Sequence, residues 1–375
     1  MDRSVAEGAP VVTAWSAVSP FGIGRDAFTT GVRAGASTAR ALGGEHGVTP
    51  VDEACLVPGF DVRAVLGRNG TRNVDRVSGL ALAAARELLP QDTKGTEGTQ
   101  GSADDAESRD RDDTAVVLAT SGTVQEMRDF TRSSLLETRP FYVNPGAVPS
   151  GVPNCAAGLV AIWHRLRGPN ATITTGRTAG LHALAYARRL LTAGRARQVV
   201  VGASEEYSAM RAWLEFHHHA PAPPGVLGEG SALFLLERWT RHSPPPLVAV
   251  LGVESQVCLD GDVEEALRRC LLEGLRRHGI SPDEVWAAST SHAAGDLGRQ
   301  ERAAVTSLFG EQPLTRVPDL TPIGETGSAT GAFQVAAVLS RREPAGEGAG
   351  RIAVVTSVDS GGTLGCGLFR LLPSR

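Results

Sequence analysis

Short runs of β-branched and apolar residues recur along the chain: VVTAWSAV, TAVVLAT, RQVVVGAS, SALFLLER, PLVAVLGV and RIAVVTSV. Each is too short for a typical helix and apolar at successive positions, as expected of strands buried on both faces. Between them lie stretches rich in Ala and Leu, such as RVSGLALAAARELL and TTGRTAGLHALAYARRLL, which favour helix. The alternation predicts an α/β chain with largely buried sheets. One segment breaks the rhythm. Residues 91–113 contain no Val, Ile, Leu or aromatic residue and carry eight acids against three bases. Such a stretch buries too little apolar area to offset its ordering entropy, so a disordered surface excursion is expected there.

The pattern repeats. TTGRTAGLHALAYARRLL followed by RQVVVGAS has a counterpart in ETGSATGAFQVAAVLSRR followed by RIAVVTSV. Each unit has a Gly-containing polar turn, a second Gly four residues on, an Ala-rich helix and a β-branched strand. PVVTAWSAV near residue 10 and PLVAVLGV near residue 246 correspond in the same way. Two related α/β halves, 1–242 and 243–375, joined at the Pro-rich HSPPP, are the simplest account. Small side chains on the paired helices suit a sandwiched position between sheets.

Composition narrows the chemistry. The chain holds 375 residues, with 42% hydrophobic and 21% charged residues and a net charge of −4, so a nucleic-acid partner is not expected. The N-terminus MDRSVAEGAP is polar and the longest apolar runs are far shorter than a membrane span. Five cysteines without CxxC spacing suit a reduced, cytoplasmic compartment. Of 37 basic residues only Lys94 is a lysine, and it lies in the polar stretch QDTKGTEGTQ. That excludes a P-loop and a pyridoxal-phosphate Schiff base, because arginine keeps its proton and fills neither role. No cofactor and no metal site are expected. His217-His218-His219, leading into APAPP, reads as a solvated loop, since adjacent histidines do not converge on one ion as i, i+4 ligands do. Glu205-Glu206 reads as a structurally hydrogen-bonded pair, and GEGS at 228–231 as a tight turn. Ser204, Thr175 and Thr178 are conceivable hydroxyl nucleophiles, but no His–acid arrangement beside them is legible.

The order of several segments resembles the β-ketoacyl synthases, condensing enzymes with the thiolase fold. VVTAWSAVSPFGIGRDAF is similar to their opening strand and turn, and NVDRVSGLALAAARELL to the helix after their first basic loop. VPNCAAGLVAIWHRLRGPNATITTGRTAGLHAL resembles their run through the dimer interface into the nucleophile turn. GVLGEGSALFLLER and SVDSGGTLGCGLFRL resemble the last strand of their first half and their Gly-rich C-terminal turn. The resemblance covers nearly the whole chain and implies a layered αβαβα core.

It also implies a site that has lost its chemistry. The family uses a thiolate nucleophile at a helix N-terminus, assisted by two histidines. Here the nucleophile turn reads Thr175-Gly176-Arg177-Thr178-Ala179-Gly180, with Arg177 in place of the cysteine. Leu320-Thr321-Pro322-Ile323-Gly324-Glu325-Thr326 aligns with Lys-x-x-Ile-Gly-His-Thr, so Leu320 replaces the lysine and Glu325 a histidine. The other histidine motif is reduced to Ser291-His292-Ala293-Ala294-Gly295, with His292 nine residues before Glu301, two fewer than in the family. The Gly-rich turn keeps Gly361 and Gly362 but lacks the preceding Phe. The nucleophile and the second-half histidine meet across the family's site, so Arg177 and Glu325 are expected to be neighbours. Either charge buried alone costs several kcal/mol, so the two are expected to pair and plug the site.

A synthase homologue without its cysteine is similar to the chain-length factor, or ketosynthase β subunit, of type II polyketide synthases. That resemblance implies a non-catalytic subunit paired with a Cys-bearing ketosynthase α subunit and served by an acyl carrier protein. The usual β subunit carries Gln at the position of Arg177, so this chain is an atypical member. Met127 and Phe130, in MRDFTRSS, are then candidates for the end of the shared tunnel on an interface helix; an ordinary amphipathic core helix is the alternative for that segment. The alternative function is a stand-alone acyltransferase or decarboxylase using His292, Glu325 or a hydroxyl.

Overall fold

A computed structural model describes residues 6–89, 111–219, 225–240, 245–341 and 348–373. Most of the acidic segment 91–113 and the expected boundary at 242/243 lie outside the described residues. The main strands are β1 (Pro10–Ser19), β2 (Thr114–Ala119), β3 (Asn170–Ile173), β4 (Gln198–Glu205), β5 (Gly230–Arg238), β6 (Val248–Val257), β7 (Val285–Ser289), β8 (Ile352–Val358) and β9 (Thr363–Leu371). The longer helices are α1 (Arg25–Ala34), α2 (Arg76–Leu88), α3 (Val124–Leu136), α4 (Cys155–His164), α5 (Ala179–Thr192), α6 (Ala209–His219), α7 (Val263–Arg277), α8 (Gly295–Phe309) and α9 (Thr330–Ser340).

The strands follow one path, β7-β8-β9-β6-β1-β5-β4-β2-β3. In the first half β1 pairs antiparallel with β5 and β5 with β4, while β2 runs parallel to both β4 and β3. In the second half β6 pairs antiparallel with β9 and β9 with β8, and β7 runs parallel to β8. The same order of directions thus recurs, with β3 unmatched among the described residues. The halves meet where β1 and β6 pair over Val11↔Ala249 and Val12↔Val248.

The strands are apolar on successive positions because each faces two helical layers. In β2, Ala115, Val117 and Ala119 join the central core while Val116 and Leu118 join an outer core with α2 and α4. In β8, Ala353 and Val355 join the same central core, and Ile352 and Val354 an outer core with α7 and α8. The result is five layers: α2/α4, the first-half strands, α5/α9, the second-half strands, and α7/α8. This is the layered α/β architecture expected from the sequence.

The central layer sets the spacing. Every residue of α9 is buried, which accounts for a helix apolar on all sides. A Cβ at Gly180 would lie 2.9 Å from the Ala332 amide nitrogen, and one at Gly331 would lie 3.2 Å from that of Leu181. The helices cross backbone against backbone, and the repeated glycine is there because no side chain fits.

Two local expectations are revised. His217–His219 do not form a loop; they end α6, where His217 stacks on Trp213 one turn earlier. GEGS is not a tight turn but an extended approach into β5, with Gly228 so close to the Ile323 carbonyl that a Cβ would clash at 1.9 Å.

Adding one methyl at the crossing should therefore be costly. Gly180→Ala is expected to destabilise the chain by about 1–3 kcal/mol, because the facing atoms are backbone and cannot repack locally. Gly158→Ala, in α4 with open space around its Cβ position, should instead be neutral or stabilise by up to about 1 kcal/mol. Urea midpoints of the two variants measure the difference, and equal midpoints would contradict the close crossing.

Candidate functional site

Both central helices begin with a 3-10 turn: Gly176–Thr178 leads into α5 and Gly327–Ala329 into α9. Because the helices cross near their N-termini, the two turns lie side by side. Gly176 has φ +61, and its Cβ would collide with the Asp359 carboxylate at 2.2 Å, so the turn requires glycine. Asp359 lies between β8 and β9 and accepts the Arg177 amide at 2.9 Å through Oδ2 and the Gly361 amide at 2.9 Å through Oδ1. Ser357 Oγ donates to the Arg177 carbonyl at 3.0 Å. The second half thus clamps the backbone of Arg177, and Gly362, at φ +85, lets the Gly-rich turn close against the Cys258 carbonyl.

The Arg177 side chain reaches Glu325: Nη1 donates to Oε2 in a close ion pair, with the side chains only 11% and 15% exposed. The remaining carboxylate oxygen, Oε1, accepts the Gly327 amide at 3.1 Å. The backbone of Glu325 is equally held, its amide donating to the Val226 carbonyl at 2.8 Å and its carbonyl accepting from Gly228 and from Arg211 Nη2, each at 2.8 Å. Although burial works against the charged form, Glu325 keeps the Arg177 guanidinium's pKa above its ordinary value. The pairing expected from the sequence is present, and both oxygens of Glu325 are hydrogen-bonded.

His292 lies on the loop between β7 and α8 with φ 54, the left-handed region that a residue with a Cβ rarely adopts. The loop is held from behind by Glu301, which is fully buried on α8. Glu301 accepts the Ser291 amide at 2.9 Å, the Ser291 hydroxyl at 2.6 Å and the Thr356 hydroxyl at 2.7 Å. Burial outweighs these donors and raises the Glu301 pKa to about 7. His292 Nδ1 stands 3.6 Å from Asp319 Oδ1, outside hydrogen-bond distance, and that oxygen is already taken by the Thr321 amide and hydroxyl. Loss of water around the imidazole lowers its pKa more than Asp319 and Glu325 raise it.

A cavity of about 260 Å³ joins these groups, lined by Cys55, Ser291, His292, Leu320 and Glu325 among others. Three positions singled out in the sequence, Glu325, His292 and the buried Leu320, therefore line one cavity, and Arg177 joins them through its ion pair with Glu325. Cys55 brings a thiol to the cavity, but burial raises its pKa and leaves it a poor nucleophile. Among the described residues no group of His, Cys, Asp or Glu is placed to hold a metal ion.

Met127 and Phe130 lie elsewhere, on α3, a helix with no buried residue. It is therefore not an ordinary core helix. Met127 lines a surface cavity of about 630 Å³ and Phe130 another of about 420 Å³ on the same helix.

The remaining candidates divide. Ser204 Oγ donates to the Val77 carbonyl at 2.8 Å and is fully buried, a structural role. Glu205 accepts the amides of Ser121 at 3.1 Å and Ser328 at 3.3 Å, and Glu206 that of Val77 at 3.1 Å, so both carboxylates are structurally bonded. Thr178 donates to the Thr175 carbonyl at 2.8 Å. Thr175 has a partner that the sequence hides: its hydroxyl lies 2.7 Å from His182 Nδ1. Also hidden is the seat of Glu229, whose buried carboxylate binds Arg76 twice and the Val57 and Tyr207 amides. An isolated Glu in GEGS gives no sign of a partner 153 residues away.

The family model "Beta-ketoacyl synthase, N-terminal domain" matches residues 10–242. A structure described as the ishigamide ketosynthase/chain length factor superposes with a TM-score of 0.89 and 43% identity, covering 97% of this chain and 100% of that one. A ketosynthase in complex with its chain length factor from Xenorhabdus doucetiae shares the fold, with a TM-score of 0.73, 19% identity, and coverage of 97% of this chain and 98% of that one. The 3-oxoacyl-[acyl-carrier-protein] synthase 2 of Vibrio cholerae is 26% identical over 343 residues, 85% of this chain and 75% of that protein. With the family matched over more than half its length and a full-length structural relative, the chain belongs to the β-ketoacyl synthase family and has its thiolase-like fold.

Proposed function

We propose that this chain is a chain-length factor: a ketosynthase-like subunit without thiol chemistry of its own, working in polyketide biosynthesis. The observation that carries the reading is the buried Arg177–Glu325 ion pair, at two positions that the resemblance aligns with the family's nucleophile and one of its histidines. A guanidinium cannot attack a thioester, and Glu325 is committed to Arg177 and the Gly327 amide. Leu320 removes the family's lysine from the same cavity. The substitutions are mutually compensating in charge and packing, as expected of a site stabilised after its chemistry was lost.

The partner in this reading is a Cys-bearing ketosynthase, the two forming a heterodimer that acts on chains borne by an acyl carrier protein. In support, a solved relative at 43% identity is described as a ketosynthase/chain length factor. Met127, Leu135 and Leu136 on α3 and Phe141 and Tyr142 after it are exposed, an apolar surface of the kind that marks an interface. Met127 and Phe130 then stand at the end of the shared tunnel. Among the described residues no helix is long and apolar enough to cross a membrane, and the five cysteines are all free, as a reducing cytoplasm would keep them.

Co-expression with the cysteine-bearing ketosynthase of the same pathway, followed by native mass measurement, should give a one-to-one complex; condensation should require that partner. A stable self-dimer that ignores the ketosynthase, or product formed without it, would reject the reading. Within the intact complex, Phe130→Ala should lengthen the product by deepening the tunnel. Unchanged product length with the complex intact would remove Phe130 as a gate.

The ion pair makes a separate prediction. Glu325→Gln leaves Arg177 buried and unpaired and should cost about 3–5 kcal/mol, whereas Arg177→Met combined with Glu325→Gln should recover much of the loss. Thermal melts of the parent, both single variants and the double variant give the coupling. A coupling below about 0.5 kcal/mol would mean that the charges are independent.

A further inference from the structure

Helix α3 has no buried residue, yet its first turn directs one carboxyl inward. Glu126 on α3 and Asp75, the N-cap of α2, line one cavity of about 420 Å³. Asp75 Oδ1 accepts the Ser78 amide at 2.7 Å, but its Oδ2 is buried with no hydrogen-bond partner. Glu126 Oε2 is in the same state. Glu206, 3% exposed and close to both acids, accepts the Val77 amide at 3.1 Å through Oε2. The Ser78 hydroxyl beside Asp75 is fully buried and also without a partner.

Among the described residues, the cations around these acids are engaged elsewhere. Arg76 gives Nε and Nη2 to Glu229 and Nη1 to the Phe60 carbonyl. Arg211 on α6 gives its donors to the carbonyls of Glu206, Gly228 and Glu325. On α3 itself Arg128 pairs with Asp129, which Arg132 also faces. Glu205 adds a further carboxyl, held by the Ser121 and Ser328 amides, and Cys155 of α4 a thiol that burial keeps protonated. An ionised carboxylate only accepts hydrogen bonds, so Asp75 Oδ2 and Glu126 Oε2 lack a donor unless one of them carries a proton. A buried carboxylate without partner costs several kcal/mol, and protonation removes that cost.

We propose that Glu126 is a proton clasp: its protonated carboxyl, shared with Asp75, holds the first turn of α3 on the N-terminus of α2, and loss of the proton releases the helix. In support, burial pushes Asp75, Glu126 and Glu206 up, Glu126 to about 7, and neighbouring acids raise Glu126 and Glu206 further. A carboxyl raised by docking from 4.5 to about 7 stabilises the docked helix most below pH 4.5 and loses that contribution as pH rises to 7. Helix α3 carries the exposed Met127, Leu135 and Leu136, so the clasp sets how that apolar surface is presented. The inference concerns the chain alone and does not rest on pairing with a ketosynthase.

The test is amide hydrogen exchange of the full chain at pH 6 and pH 8, corrected for the intrinsic pH dependence of exchange. Protection of α3 should fall about tenfold between the two, while that of the buried α5 stays unchanged. Glu126→Gln keeps the size and supplies a donor at every pH, so its α3 should be equally protected at both. Infrared difference spectra of the parent should show a protonated carboxyl titrating near pH 7, absent from the variant. The proposal is overturned if α3 of the parent is equally protected at both pH values, or if Glu126→Gln shows the parent's fall. It is also overturned if the folded variant has already lost α3 protection at pH 6, since the charge and not the proton would then hold the helix. Should the variant fail to fold, the parent's infrared spectrum decides: without a carboxyl titrating near 7 the clasp does not exist.

Discussion

The contact between α5 and α9 governs the arrangement of everything else. Two helices that meet at Gly180 and Gly331 bring their backbones together, with no room for a side chain between them. Their N-terminal turns are then forced to the same place, and residues 148 positions apart in sequence become ion-pair partners. The strands of each half pack on one side of this helix pair, which is why both halves share one central core. The five-layer architecture and the position of the site are consequences of the same close approach. Larger residues at the two glycines would separate the layers and the turns together.

At the point of convergence, electrostatics takes over from packing. A buried guanidinium is tolerated only if a carboxylate meets it, and the carboxylate only if the guanidinium is present. Neither charge is tolerated alone, so Arg177 and Glu325 act as one unit. The clamp from Asp359 and Ser357 strengthens this by fixing the Arg177 backbone from the second half, leaving the side chain little choice of direction. A cation at a helix N-terminus is ordinarily unfavourable. Two carboxylates near it, Glu325 on the side chain and Asp359 on the backbone amide, supply the compensation.

The elements and their repeat were legible because burial on both faces leaves a strong mark: β4 reads VVV and β8 reads AVV in the middle of each strand. The ion pair was legible through the family resemblance, which implies that the positions of Arg177 and Glu325 face each other across one site. What stayed hidden depends on contacts that leave no local pattern. Asp359 reaches Arg177 across 182 residues, and Glu229 reaches Arg76 across 153. The Thr175–His182 contact was hidden differently. It is short in sequence, but it exists only because the N-cap hydroxyl does not cap, and propensity predicts the opposite. The prolines after His217–His219 suggest a loop, whereas the three histidines end α6, with His217 stacked on Trp213.

Glu301 illustrates why a perturbed acid is not by itself a sign of chemistry. A carboxyl group near pKa 7 close to a histidine resembles a general acid or base. Its three donors, however, are the Ser291 amide and hydroxyl and the Thr356 hydroxyl, all of them part of the scaffold, and no solvent reaches it. Its shift comes from burial, and its work is to hold the loop that places His292 at a positive φ. That loop keeps an uncommon conformation although its histidine has no hydrogen-bonded acid. A strained backbone persists only where surrounding contacts over-determine it. Here those contacts come from Glu301 on α8 and Thr356 on β8, which also pack the second-half core. The loop's shape is thus tied to the fold through Glu301 and Thr356.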